Sequence, residues 1–315
     1  MRLAFMGTPD FALPSLSSLI HTEEHNLACV ITQADKPRGR GMHVQSPPVK
    51  EMALMHGLPV YQPDSLKNNT EIRNLITQGG FDAVIVVAYG KMIPPELLPI
   101  PRYGFLNVHA SLLPKFRGAS PINRAIMTGC QTTGVSIMLI DAGMDSGPIF
   151  IQAETAIGDE EDAVTLSERL SMLGADKLME ALKLIGQGKI EPRAQDHSMA
   201  TYAPVLTKEE GKIDWNQDVR TIHNKIRALV PWPCAHTTLN GKMLKILSAS
   251  YELMETGLRP GKLIKDRTGV RIACKGGFII PHNLQLEGKK ALGSQAFSCG
   301  LKANQSLVGE VRVEP

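Results

Sequence analysis

Cysteine is scarce and scattered. Its five copies, Cys29, Cys130, Cys234, Cys274 and Cys299, are odd in number, form no CxxC and lie at no zinc-finger spacing from a His. That pattern argues against a disulfide framework or a structural metal and for thiols kept in a reducing compartment. Long apolar runs are missing too. The best candidate, AVIVVAY at 83–89, falls far short of the roughly 20 apolar residues a membrane span needs. The opening MRLAFMGTPDFALPSL carries an Asp at position 10 and no extended apolar core, so no secretory leader is expected and a cytoplasmic location is. The Gly7-Thr8-Pro9 turn is neither G-x-G-x-x-G nor a Walker loop, which leaves only a weak signal for a bound nucleotide there. Neither H-E-x-x-H nor a nucleophile elbow occurs, and no internal repeat or low-complexity tract was found.

What the chain does have is length and alternation. Its 315 residues are 43% hydrophobic, enough for about two domains at roughly 150 residues each. RLAFMGT, LACVITQ, FDAVIVVAYG and FLNVHAS read as near-continuous apolar strands, and FALPSLSSLIHT and VKEMALMHG as helices between them. That order predicts an open α/β domain whose mostly parallel sheet is covered on both faces, with its ligand site outside the carboxyl ends of the strands. A helix over 165–185 is followed by a polar stretch, IEPRAQDHSMATYAP, the best candidate for a linker. Beyond it, one helical segment and short runs broken by Gly about every ten residues predict a small β barrel or sandwich. The expected division is a first domain over 1–189, a linker over 190–207 and a second domain over 208–315.

Charge divides along the same line. Residues 1–207 hold 17 Lys/Arg against 21 Asp/Glu, a net of −4, and residues 208–315 hold 17 against 10, a net of +7. A basic second domain suits a polyanionic partner, because Lys and Arg release phosphate counterions on binding; a merely well-solvated basic surface is the alternative.

Within GFLNVHASLLPKFRG (104–118), Asn107 and His109 interrupt an apolar strand. Spaced by two, they share one face of it, near the end where Pro114 and Gly118 force a turn. A carboxamide beside an imidazole can polarise a carbonyl and stabilise its oxyanion, and the imidazole can move a proton near neutral pH. A core His satisfied by a main-chain carbonyl is the plainer reading. A carboxylate to orient the ring could come from Asp141 or Asp145 in the Gly-rich loop of GVSIMLIDAGMDSGPIF. With no nucleophile signature, acyl transfer without a covalent enzyme intermediate is the economical chemistry.

NVHASLLPKFRGASPI followed by TGVSIMLIDAGMDSG resembles the folate-dependent formyltransferases. The opening FMGTPDFALPSL, the basic loop QADKPRGRG, KEEGKIDW and VPWPCAHTTLNG extend the similarity over nearly the whole chain, and the loop narrows it to the branch that acts on methionyl-tRNA. The resemblance implies a Rossmann-like N-terminal domain and an OB-like C-terminal barrel. It implies 10-formyltetrahydrofolate as co-substrate, no metal, methionyl initiator tRNA as partner and no membrane or protein partner. By it, Asn107, His109 and Asp145 form the catalytic trio, Ser111, Leu112, Leu113 and Pro114 help to bind the folate, and Arg40, with Lys36 and Arg38, meets the tRNA. Met42 and His43 stand where many members carry lysines, Ser146 where Thr is common, and Ala110 where Gly is common. Rivals are a sugar-nucleotide formyltransferase, a formyltetrahydrofolate hydrolase domain and a non-catalytic RNA-binding protein. The KPRGRG loop opposes the first, the lack of room for a dehydrogenase portion the second, and an intact trio the third. Trp215 and Trp232 could stack on bases but are expected as core anchors.

Overall fold

Arg2–Gly7 extends as β1 with Leu3 and Phe5 buried on one face and Ala4 and Met6 on the other; a strand apolar on both sides must be covered on both. The structure, a computed structural model, describes residues 1–38, 43–265, 268–301 and 307–308. After β1 come α1 (Leu13–His21), β2 (Asn26–Ile31), β3 (Lys36–Arg38), β4 (His43–Gln45), α2 (Pro48–Met55), β5 (Val60–Tyr61), α3 (Thr70–Gln78), β6 (Ala83–Val87), β7 (Phe105–His109), α4 (Pro121–Met127), β8 (Thr132–Leu139), β9 (Ile149–Ala156) and α5 (Ala163–Gly186). The large sheet has the order β5-β2-β1-β6-β7-β8-β9. It is parallel from β5 to β7 and antiparallel where β8 and β9 are added. The outer pair is the part that strand-helix alternation does not announce, because a hairpin extension needs no crossover helix.

The two faces have separate cores. Leu3, Phe5, Ile85, Val87, Leu106 and Val108 pack with Leu16 and Leu19 of α1 and Leu178 and Leu182 of α5. Ala4, Met6, Val84, Val86 and Phe105 pack with Ile72 and Ile76 of α3. By alternation, Asn107 and His109 lie on the face of Phe105. The chain forms two compact units, the first from Met1–Pro121, Thr132–Ala156 and Ser167–Ala203, the second from Ile122–Gln131, Ile157–Leu166 and the chain from Pro204 onward. The segment read as a linker is tied to the first unit up to Ala203: Arg193 bridges Ile149 and Tyr202 bridges Arg117.

The second unit carries α6 (Val219–Ala228), β10 (Ala235–Leu239), β11 (Lys242–Leu253), β12 (Leu263–Lys265), β13 (Val270–Cys274), β14 (Gly277–Leu286), β15 (Leu292–Gly293), α7 (Ser294–Cys299) and β16 (Leu307–Val308). Its strands form an antiparallel, curled half-barrel of order β12-β13-β14-β11-β10-β16, with β15 on β14. Asp218 caps α6 by accepting from Arg220 N, and Val219, Ile222 and Ile226 meet Ile246, Ile272 and Ile279 in the core. Trp215 is buried there and donates to Thr237 Oγ1 at 3.2 Å. Trp232 departs from the expected core role: it is 49% exposed, because the Pro231–Pro233 stretch carries it past the end of the helix rather than onto its apolar stripe.

Candidate active site

The parallel strands end at Gly7, Ile31, Val87 and His109, and the polar side chains collect at that edge. Gly7 has no freedom to be larger, since a Cβ there would lie 3.0 Å from Val87 O and 2.7 Å from the Phe5 ring. Beside it a cavity of about 280 Å³ is lined by Thr8, Gln33, Lys36, Gln45, Ser46 and Ala88, among others. Ala88, Phe116 and Asp145, all non-glycine, hold left-handed φ values of +47°, +58° and +48°, the kind of backbone strain that concentrates at functional sites. A larger cavity of about 680 Å³ in the second unit is lined by Arg271 and His282 and, among the described residues, by no carboxylate.

Asn107 is half-buried, opposite Val86 on one side and Met138 on the other. Among the described residues nothing hydrogen-bonds its carboxamide. His109 is buried, and its Nε2 lies 3.0 Å from the Phe116 carbonyl. That oxygen only accepts, so Nε2 carries the proton. Nδ1 of the neutral ring is then bare and faces Asp145 Oδ2 at 3.7 Å, too far for a hydrogen bond but close enough for the carboxylate to stabilise a proton arriving at Nδ1. The same carboxylate oxygen accepts from Gly118 N at 2.8 Å. Gly118, at φ +114°, has to be glycine: a Cβ would sit 2.9 Å from Ala203 O. Asp141, the other acidic candidate, is a loop former, accepting from Ser146 Oγ and Gly143 N.

The turn after β7 joins Ser111 and Leu113 to two side chains, Ser136 and Gln152, that sequence patterning does not flag. The Ser111 hydroxyl is wholly buried and donates to Lys115 O at 2.6 Å. Ser136 Oγ donates to Ser111 O and accepts from Leu113 N, while Gln152 Nε2 donates to Leu113 O at 2.9 Å. Leu113 packs with Met138 and Ile149 as an apolar floor; Leu112 and Pro114 are half-buried. Ser136 and Gln152 face each other across β8 and β9, a pairing visible only once the register is known.

The basic loop leaves the sheet through the β3–β4 hairpin. Lys36 Nζ donates to Gln33 Oε1 at 2.7 Å; Arg38 pairs with His43 along the backbone; Arg40 lies outside the described residues. Asp35 and Ser46, which flank the hairpin, hydrogen-bond each other. Asp35 also accepts from Gln62 and Lys50, and these bonds, Gln62's first, hold its carboxyl below the usual range. Among the described residues no group of three or more His, Cys, Asp or Glu could hold a metal ion, and no helix is long and apolar enough to cross a membrane.

Residues 1–182 match the family described as formyl transferase, and residues 205–302 the formyl transferase C-terminal domain. A methionyl-tRNA formyltransferase of Geotalea daltonii is 45% identical over 303 residues, 96% of each chain. One of Caldanaerobacter subterraneus is 44% identical over 95% of this chain and 97% of its own. Solved structures share the fold at low identity. An N-formyltransferase from Helicobacter canadensis, in complex with folinic acid and dTDP-3-aminofucose, has a TM-score of 0.66 at 19% identity over 89% of this chain and 98% of its own. HypX from Aquifex aeolicus with tetrahydrofolic acid has 0.62 at 18% over 97% of this chain and 50% of its own. With both of its domains matched and relatives aligned end to end, the chain belongs to the formyl transferase family.

Proposed function

We propose that this chain transfers the formyl group of 10-formyltetrahydrofolate to the amino group of methionyl initiator tRNA in the cytoplasm. The observation that carries this reading is the strand-end cluster: an amide with no hydrogen-bond partner among the described residues, beside an imidazole whose bare nitrogen faces a carboxylate, in a chain aligned along 96% of its length with a methionyl-tRNA formyltransferase. The folate supplies an electrophilic formyl carbon. Leu113, packed with Met138 and Ile149, and the half-buried Leu112 and Pro114 beside it in the chain offer the apolar surface that a flat heterocycle needs.

A reference α-amine titrates at about 7.7–8.0 and the neighbouring ester of an aminoacyl-tRNA lowers this further, so presenting the free base near neutral pH is a modest demand. As its nitrogen bonds to the formyl carbon, negative charge collects on the formyl oxygen, where Asn107 Nδ2 donates a hydrogen bond. The amine must lose one proton and the departing folate nitrogen must gain one. His109 Nδ1 takes the proton, Asp145 stabilises the resulting imidazolium, and the ring returns the proton to the leaving nitrogen. The charged ring adds a positive field at the oxyanion; its Nε2–H is engaged by Phe116 O in this structure. Lys36, Arg38 and Arg40 meet the acceptor end of the tRNA, and the second unit, basic from residue 208 onward, meets its phosphates.

The test gives the purified protein labelled formyl donor with methionyl initiator tRNA, methionyl elongator tRNA, an amino-sugar nucleotide or water. Label on the initiator alone is expected. Label on the sugar would move the substrate to that of the sugar enzymes, free formate would make the chain a hydrolase, and equal labelling of both tRNAs would remove the initiator preference.

A further inference from the structure

Gln195, in the segment tied back to the first unit, is buried, 7% exposed. Its Nε2 donates to the carbonyls of Asp145 and Gly147 at 2.9 and 2.7 Å. Its Oε1 accepts from Arg117 Nε and Nη2 at 3.1 and 2.6 Å. The guanidinium is donor-only, so the amide can stand only one way round, with both its hydrogens on the two carbonyls. Arg117 is itself buried, 4% exposed, with its Nη2 3.0 Å from His197 Nδ1. Its backbone is locked to Thr201 and Ala203.

The two carbonyls bracket the turn in which Asp145 takes a left-handed φ. The side chain that turn presents is the carboxylate 3.7 Å from His109 Nδ1. A non-glycine left-handed residue needs its surroundings to over-determine it, and here two hydrogen bonds from one amide, held by a guanidinium fork, do so. We infer that Gln195, oriented by Arg117, is a positioning residue that sets the distance between Asp145 and His109. The site is thereby completed by a residue more than 45 positions along the chain from the Asp145 loop. This inference rests on the proposed formyl transfer, and its test begins by measuring transfer by the wild type.

Gln195→Glu keeps the shape and the contact with Arg117 but removes both N–H donors and sets an anionic oxygen against the two carbonyls. Displacements on the ångström scale at a reacting group cost up to about 10² in rate, so kcat should fall at least about tenfold with KM for donor and tRNA within about threefold. A residue acting through Asp145 should show non-additivity: in the Asp145→Asn background, Gln195→Glu should change kcat by less than about twofold. Gln195→Met, uncharged and of similar length, is measured alongside, each variant at a temperature where circular dichroism shows it folded, and should show the same non-additive loss. A wild type that does not transfer formyl overturns the reading of function. An active wild type with Gln195 variants within twofold of it, or with their full loss retained beside Asp145→Asn, overturns the positioning role alone.

Discussion

At the scale of single residues, the strand that carries the chemistry could be read directly. Two polar groups at spacing two in an apolar run have to share a face, and the fold puts that face at the carboxyl edge of the sheet. The choice of carboxylate could not be read in this way. Asp141 and Asp145 occupy one Gly-rich loop; the family resemblance singles out Asp145 where residue pattern does not, and in three dimensions Asp141 is the one bonded to Ser146 and Asp145 the one beside His109. Arg117 and Gln195 escaped notice for a similar reason: a long-range hydrogen bond leaves no periodic trace. The Asn107 carboxamide makes no protein hydrogen bond to lose among the described residues. Asn107→Ala should therefore leave folding stability within about 0.5 kcal/mol and lower kcat by about 10²–10³. Steady-state kinetics beside a urea titration would show it, and a kcat within a fewfold of wild type would remove Asn107 from the oxyanion site.

At the scale of elements, apolar periodicity located the parallel strands and α5, whose observed span of Ala163–Gly186 contains the expected 165–185. It did not separate the hairpin strands β8 and β9 from the rest of the sheet, nor show that the segment after α5 would be pinned down rather than free. Helix α6 gives a pH prediction. His223 is buried, donates Nε2–H to Ala249 O at 3.0 Å and has Glu160, Arg227 and the Tyr251 ring about it. Burial, the largest cause, pushes its pKa below the usual 6.5 despite Glu160. The folded state thus holds a neutral ring where the unfolded chain takes up a proton. The stability linked to this group is complete above about pH 6.5 and is lost as pH falls below it toward the depressed folded pKa. Urea midpoints at pH 7.5 and 5.5 should diverge more for wild type than for His223→Gln, which keeps a donor for Ala249 O without titrating there. Equal divergence in the two proteins would show that other groups set the acid response.

At the scale of the whole molecule, the most informative sequence property was the charge division, −4 before residue 208 and +7 from it onward, because net charge reports partners rather than folds. Two domains of the expected classes follow from pattern and length, whereas the backbone pairing that ties the polar stretch up to Ala203 to the first unit leaves no mark in composition. If the second unit holds tRNA through phosphates, each neutralised phosphate adds about 0.9 to the slope of log affinity against log salt. The methionyl-tRNA affinity should then fall with a slope of about −3 or steeper between 50 and 200 mM salt, as expected for roughly three or more phosphate contacts. KM for the formyl donor should move far less. Arg40→Ala separates the loop from the second unit in the same experiment. It should lower kcat/KM for methionyl-tRNA and make the slope shallower by about one, while leaving KM for the donor and the remaining slope in place. An unchanged slope and unchanged kcat/KM would assign tRNA recognition to the second unit without Arg40. A slope near zero in the wild type would mean that the basic C-terminal part of the chain is a solvated surface and that the tRNA is held by other contacts.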